Sequence, residues 1–204
     1  VTGVKARGWD VLVVDDGSTD HSGELARKAG AEVLRNAEKS GKGGALRQAF
    51  GQVLEKNYEG VITMDGDGQH AVEDLEHFLK KISEDPDSVI IGNRMNNAGQ
   101  MPLVRRLTNR LMSGLISSIC KQTVPDTQCG YRYISTPALK VIQLTSNDYE
   151  IETEVLIQAS RRGFRIHSVP IQTIYRNEES KINPWKDTVR FITYLARELM
   201  SSSR

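Results

Sequence analysis

The chain has 204 residues, 38% hydrophobic and 26% charged, with a formal net charge of +1; this suits one full α/β domain, and no nucleic-acid partner is expected. Its two cysteines, Cys120 and Cys129, have no His at zinc-finger spacing, which argues for packing thiols in a reduced, cytoplasmic compartment and against a disulfide framework. No apolar run approaches the ~18–20 residues of a spanning helix, and no charged-then-apolar leader opens the chain.

Strand-like and helical stretches alternate from the start. Strands are predicted over residues 10–14, 31–35, 60–64 and 88–92, and helices over 22–29, 44–56 and 72–84. This is the βα rhythm of a mostly parallel, Rossmann-like sheet with helices on both faces. The continuous apolar runs Val11-Leu12-Val13-Val14 and Val89-Ile90-Ile91 suit strands covered on both sides. Past residue 95 come a loop to Pro102, a basic helix over 103–120, a turn and the segment 126–135, where Tyr131 and Tyr133 read as strand packing. A helix over 150–162, a strand over 165–175 and a final helix follow, the last with Asn183 as cap and Pro184 at its first position.

In an open α/β sheet, ligands bind beyond the carboxyl ends of the strands. Three of the predicted ends carry polar groups: Asp15-Asp16-Gly17-Ser18, Asp65-Gly66-Asp67 and Gly92-Asn93-Arg94. Alternate residues of an extended segment point the same way, so Asp65 and Asp67 can grip one hard divalent cation, and Gln69 keeps the phase. Gly66 and Gly68 leave room for a phosphate-bearing ligand near the backbone. Asp65, Asp67, Gln69 and Glu76 also fit an EF-hand count, but His70 stands where that loop needs glycine and the preceding run is strand-like. His70 and His77 are expected at the surface or at helix caps. The Arg105, Arg106 and Arg110 cluster suits either phosphates or a solvated helix face.

Together, Val13-Val14-Asp15-Asp16-Gly17-Ser18-Thr19-Asp20, Asp65-Gly66-Asp67-Gly68-Gln69-His70, Gly92-Asn93-Arg94 and Asp126-Thr127-Gln128-Cys129-Gly130-Tyr131-Arg132 resemble family 2 glycosyltransferases of the GT-A fold. Within that family the pattern is similar to the dolichol-phosphate mannosyl- and glucosyltransferases and their bacterial polyprenyl-phosphate relatives. Arg176, Ser180 and Lys181 resemble their acceptor-side segment. Family members open with a strand ending in a Pro-Ala-Tyr-Asn-Glu-like segment; nothing of that kind precedes Asp10, so the fold is expected to lack its first strand. The resemblance implies one catalytic domain over 1–204, with the acceptor side from about 95.

The resemblance also implies roles. Asp15 and Asp16 would contact the nucleoside, and Asp65 and Asp67, with Gln69, would hold Mg²⁺ or Mn²⁺ against the diphosphate. Lys42 in Gly41-Lys42-Gly43-Gly44 matches a Gly-Lys-Gly segment opening a helix, whose free amides favour anions; the spacing is not that of a Walker motif. Arg94 and one of Arg105 or Arg106 would bracket phosphates. Asp67 and Asp126 are the expected catalytic residues, Asp126 resembling the base of inverting members. A phosphate acceptor, with a second pKa near ~6, is already largely dianionic at neutral pH, so Asp126 would then mainly orient the acceptor or its cationic partners.

Residues 161–204 carry nine Lys/Arg against four Asp/Glu, whereas 1–160 carry eighteen against twenty-two. In the final helix Trp185, Val189, Ile192, Leu195, Ala196 and Leu199 form one apolar stripe, with Lys186, Arg190 and Arg197 off it. That pattern suits either packing on the domain or peripheral contact with the cytoplasmic face of a membrane, the latter favoured because a lipid acceptor must stay near a bilayer. The expected activity is metal-dependent, inverting transfer of a hexose from a nucleotide sugar (GDP-mannose or UDP-glucose) to a polyprenyl or dolichyl phosphate. A saccharide acceptor, a non-catalytic nucleotide-sugar-binding module and a nucleotidyltransferase are the alternatives; release of pyrophosphate would mark the last.

Overall fold

The computed structural model describes residues 1–96, 101–172, 174 and 194. After a short α1 (Thr2–Lys5), β1 (Leu12–Asp15) and β2 (Glu32–Arg35) pair in parallel with Leu12 opposite Glu32 and Asp15 opposite Arg35; α2 (Ser22–Lys28) makes the crossover between them. A second ladder runs in the order β3, β5, β4, β6, formed by β3 (Gly60–Thr63), β4 (Val89–Asn93), β5 (Arg132–Ser135) and β6 (Ile166–Pro170). β4 and β6 are parallel, while β5 is antiparallel to both β3 and β4.

The sheets are thus parallel-rich, as the βα rhythm predicts, with one reversed strand that the rhythm does not reveal. Its direction follows from where the chain re-enters. After α5 (Leu103–Cys120) the segment before β5 returns to the carboxyl end of β4, where Gly92 N donates to Tyr131 O at 2.8 Å and Arg94 N to Asp126 Oδ2 at 3.1 Å. A strand that starts at the carboxyl ends of its neighbours must run opposite to them.

Every residue of β4 is buried, and Val89, Ile90 and Ile91 join Phe78, Ile116, Tyr131, Leu156 and Ile157 in the core. Each such side chain contributes about 1.5–3 kcal/mol on burial. α3 (Gly41–Glu55) packs on β1, β3, α6 (Thr136–Val141) and α7 (Glu150–Arg161); α4 (Leu75–Glu84) lies on β4 and β6, and α5 lies against α7. α5 has the limits the sequence predicts, whereas α3 starts three residues earlier and α4 three later than expected, and α6 was not anticipated. Ser135 ends β5 and caps α6, its Oγ accepting from Ala138 N.

Both cysteines are free and buried, as packing residues should be, and burial pushes the Cys129 thiol up to about 12. Among the described residues no helix is long and apolar enough to cross a membrane. The predicted final helix lies outside the described residues apart from Tyr194, which is helical and packs against the core.

Candidate active site

Beyond β3 the chain turns tightly. Thr63 Oγ1 donates to Gly130 O at 2.7 Å, Asp65 N donates to His70 Nδ1 at 3.1 Å, and Gln69 N donates to Asp67 Oδ1 at 3.0 Å. These bonds set both carboxylates of Asp65-Gly66-Asp67 at the strand end. His70 is not a surface residue: its side chain is 6% exposed and stacks on Tyr131 at 4.9 Å, which stacks in turn on Phe78 at 4.6 Å. Burial lowers its pKa, so the ring is neutral, and accepting at Nδ1 puts its proton on Nε2, 3.9 Å from Asp65 Oδ2. A Cβ at Gly130 would overlap Asp65 Oδ2, so that glycine is the room into which the carboxylate fits.

Lys42, in the first turn of α3, reaches Asp65 Oδ1 at 2.7 Å and Glu152 Oε1 at 2.6 Å, and lies 5.7 Å from the Tyr149 ring centre. Burial opposes the ammonium charge, but Glu152 and Asp65 outweigh it and hold the pKa above the usual lysine range. Likewise burial would raise Asp65, and the charge and hydrogen bond of Lys42 bring it below the usual carboxylate range. Arg132 Nη2 stands 3.8 Å from Glu152 Oε2. Two carboxylates and two cations therefore meet over an apolar floor that includes Leu46, Phe50, Met64 and Ile151.

The loop before α7 fastens this cluster. Gly43 N donates to Asn147 O at 2.8 Å, Arg47 Nη2 donates to Asn147 Oδ1 at 2.6 Å, and Arg47 Nη1 bonds Ser146 O. Glu154, 1% exposed, accepts from Thr145 N, Thr145 Oγ1 and Ser146 N, each at 2.9 Å. The buried carboxylate thus holds the loop that leads to Tyr149 and to Glu152 in the first turn of α7, both beside Lys42.

Arg94, at the end of β4, is clamped. Its Nε donates to Asp126 Oδ2 at 2.7 Å and its Nη2 to Oδ1 at 2.8 Å; Asn109 Nδ2 adds a third side-chain bond to Oδ1 at 2.7 Å. Ser113 Oγ donates to Asn109 Oδ1 at 3.0 Å and receives Thr127 N at 3.0 Å. Asp126 is fully buried; burial would raise its pKa, but the Arg94 hydrogen bonds and charge and the Asn109 bond lower it. A carboxylate so saturated is poorly placed to accept a proton. The two clusters are neighbours, since Arg132, beside Glu152, also donates from Nη2 to the carbonyl of Thr127, the residue after Asp126, at 2.7 Å.

Asp15 ends β1, 4% exposed; its Oδ1 accepts from Ser18 N at 2.9 Å, and Ser18's hydrogen bonds lower its pKa. Its buried Oδ2 has no hydrogen-bond partner. Asp16 is engaged within the protein, accepting from Asn36 Nδ2 at 2.8 Å, Ser40 N at 2.8 Å, Ser40 Oγ at 2.7 Å and Gly41 N at 2.9 Å. It therefore anchors the N terminus of the helix that carries Lys42. Arg105 is exposed and Arg106 half-buried on α5. Arg176, Ser180 and Lys181 lie outside the described residues.

Sequence reasoning missed Glu152, Glu154 and Asn109. A signal existed for Glu154, an acid set among Ile151, Val155 and Ile157 on a buried helix; none marked Glu152 as the partner of a lysine in α3.

The donor set suits a small hard cation. Among the described residues no group of three His, Cys, Asp or Glu side chains gathers for a metal, so protein ligands would be few. Asp65, Asp67 and the Gln69 amide offer only oxygen, the chemistry of an ion that completes its shell with water and substrate phosphates.

A parallel-rich α/β sheet with acidic strand ends describes a GT-A fold. A solved glucosyl-3-phosphoglycerate synthase from Mycobacterium tuberculosis, in complex with Mn²⁺, uridine diphosphate and phosphoglyceric acid, shares this architecture with a TM-score of 0.68 at 18% identity, over 94% of this chain and 66% of that one. Residues 1–142 match the family described as Glycosyl transferase family 2, and the chain belongs to that family of enzymes. A dolichyl-phosphate hexose transferase from Haloferax volcanii is 35% identical over 175 residues, covering 85% of this chain and 74% of that protein. An undecaprenyl-phosphate mannosyltransferase from Micrococcus luteus is 33% identical over 193 residues, covering 85% and 76%. The chain spans 57–66% of the length of solved chains that it matches.

Proposed function

We propose that this protein is a metal-dependent, inverting glycosyltransferase that moves a hexose from a nucleotide sugar, GDP-mannose or UDP-glucose, to a polyprenyl phosphate at the cytoplasmic face of a membrane. The observation that carries this reading is the Lys42–Asp65–Glu152 cluster beside Asp67 at the carboxyl end of β3, with the Arg94–Asp126 pair next to it. The two relatives named for dolichyl and undecaprenyl phosphate support the acceptor class.

In the proposed reaction an oxygen of the acceptor phosphate attacks the anomeric carbon from the face opposite the nucleotide. The new carbon–oxygen bond forms as the bond to the nucleoside diphosphate breaks, and the diphosphate leaves with the electron pair. Asp65 and Asp67, with the Gln69 amide oxygen, would hold Mg²⁺ or Mn²⁺, which when bound supplies positive charge against the leaving diphosphate; Mn²⁺ accompanies uridine diphosphate in the mycobacterial structure. Lys42 adds a protonated ammonium at the same strand end. Asp15 takes the nucleoside side, its Oδ2 free of hydrogen bonds and 3.8 Å from Arg35 Nε, and Asp16 supports that side by anchoring the N terminus of α3.

A dianionic phosphate needs no base, which agrees with an Asp126 held ionised by three side-chain donors. Its role in this reading is positioning: it fixes Arg94, and Arg94 with Arg105 or Arg106 and the segment of Arg176, Ser180 and Lys181 receives the acceptor phosphate.

The reading is tested by thermal shift across a panel of nucleotide sugars with Mn²⁺ present. A ligand at 100 times its Kd stabilises the fold by about 2.7 kcal/mol. GDP-mannose or UDP-glucose should raise the melting temperature with Mn²⁺ and much less with EDTA; no shift with either donor would contradict the assignment.

A further inference from the structure

The polarity of α5 is inverted. Its inward face places Asn109, Ser113, Ile116 and Cys120 in the interior, two of them polar, while Leu103, Val104, Leu107, Leu111 and Leu115 are 80%, 79%, 62%, 67% and 45% exposed. Four of these are leucines at every fourth position, so they form one outward stripe. A Cβ built at Gly114 meets nothing within 4 Å, as expected on an open face. Isolated exposed leucines are ordinary, but a contiguous apolar band marks a surface that meets something else.

We propose that the outward face of α5 docks on an anionic lipid bilayer; the proposal rests on the lipid-phosphate reading of the acceptor and names the surface through which the protein meets it. Charge selects this occupant. α5 contains Arg105, Arg106 and Arg110 and no acidic residue, and Lys121 follows it. A leucine face flanked by basic side chains is the composition of a helix lying in a headgroup layer. The second argument is continuity with the site. Asn109, on the opposite side of the same helix, hydrogen-bonds the Asp126 that clamps Arg94. A helix is about 10–12 Å across with its side chains, so docking its outer face brings a membrane-bound phosphate to roughly one helix diameter from that arginine.

The test is cosedimentation of the full chain with phosphatidylcholine vesicles, with and without phosphatidylglycerol and free of any polyprenyl phosphate. Wild-type protein should bind the anionic vesicles, and salt should weaken binding. The Leu107→Gln/Leu111→Gln double variant should lower the partition coefficient about tenfold or more. Arg110→Glu should lower it about fivefold, on anionic vesicles only. Neither should lower the melting temperature, because these side chains already face water.

Wild-type protein that fails to bind, or a double variant that binds as wild type does, overturns the proposal. So does a wild-type dimer that the double variant converts to monomer, which would make a second copy the occupant. Increased protease cleavage within residues 175–204 of the double variant would instead make the chain's own C-terminal stretch the cover, and equally overturns it. Transfer to a short-chain prenyl phosphate in vesicle-free solution separates the two claims: transfer without vesicle binding sinks the docking surface alone, and vesicle binding without transfer sinks the acceptor reading alone.

Discussion

The Lys42 and Asp126 clusters both set carboxylates against cations, yet they are built in opposite ways. Around Lys42 two of the four charged side chains keep part of their surface in solvent, 24% for Lys42 and 34% for Asp65, above the more buried Glu152 and Arg132, and the neighbouring Asp67 spends one oxygen on its own turn. Around Asp126 the carboxylate is wholly buried, both oxygens are taken and the clamped Arg94 is 17% exposed. A half-open cluster can exchange an internal partner for a diphosphate and its counter-ion at small cost, because water already screens it. A closed one cannot give up a member without stranding a buried charge. The first is arranged to receive a ligand, and the second to keep one arginine still.

The largest consequence is in stability. Asp126→Ala should cost about 3–5 kcal/mol in urea unfolding, as expected when one partner of a buried pair is removed, whereas Asp65→Asn should cost at most about 1 kcal/mol. Equal losses would erase the distinction. In activity the order reverses in kind: Asp67→Asn should lower kcat by about 10²–10³-fold, the scale of losing one group that stabilises developing charge, while leaving the unfolding midpoint in place. A variant that turns over at the wild-type rate would remove Asp67 from the reaction.

A pH series sharpens the contrast further. The folded pKa of Asp126 lies below its unfolded value. Its contribution is therefore fully present above the ordinary carboxylate pKa of ~3.9 and is lost as pH falls through the lower folded value. The stability gap between wild type and Asp126→Asn should be constant from neutral pH down to about 3.9 and close between there and the lower folded value; a gap that closes near neutral pH would contradict the assignment. The smallest effect belongs to the outer face of α5, where Gly114→Ala should stabilise by about 0.5–1 kcal/mol, since the added methyl meets open space and relieves a mid-helix glycine. A lowered melting temperature would mean that this face is covered.

What could be read in advance was local. Apolar runs and their polar ends located the strands, the Asp65-Gly66-Asp67 turn and both limits of α5, because periodicity and turn chemistry are properties of neighbours in sequence. What could not be read depends on distant encounters. Lys42 meets Glu152 across 110 positions, the reversed direction of β5 follows from where the chain returns after α5, and His70 is buried because Tyr131 and Phe78 stack beneath it. Asn109 and Ser113 resemble ordinary polar positions of an amphipathic helix, and only their hydrogen bonds to the Asp126–Thr127 turn explain why the helix buries them and turns its leucines outward.

The most direct test of the account is a transfer assay with the full chain, GDP-mannose or UDP-glucose, a polyprenyl phosphate and Mn²⁺, with the lipid product and the released nucleotide measured together by mass spectrometry. The account predicts hexosyl polyprenyl phosphate and free nucleoside diphosphate in equal amounts, both abolished by EDTA and both formed about 10²–10³-fold more slowly by Asp67→Asn. Release of pyrophosphate, or full turnover in the presence of EDTA, would contradict it.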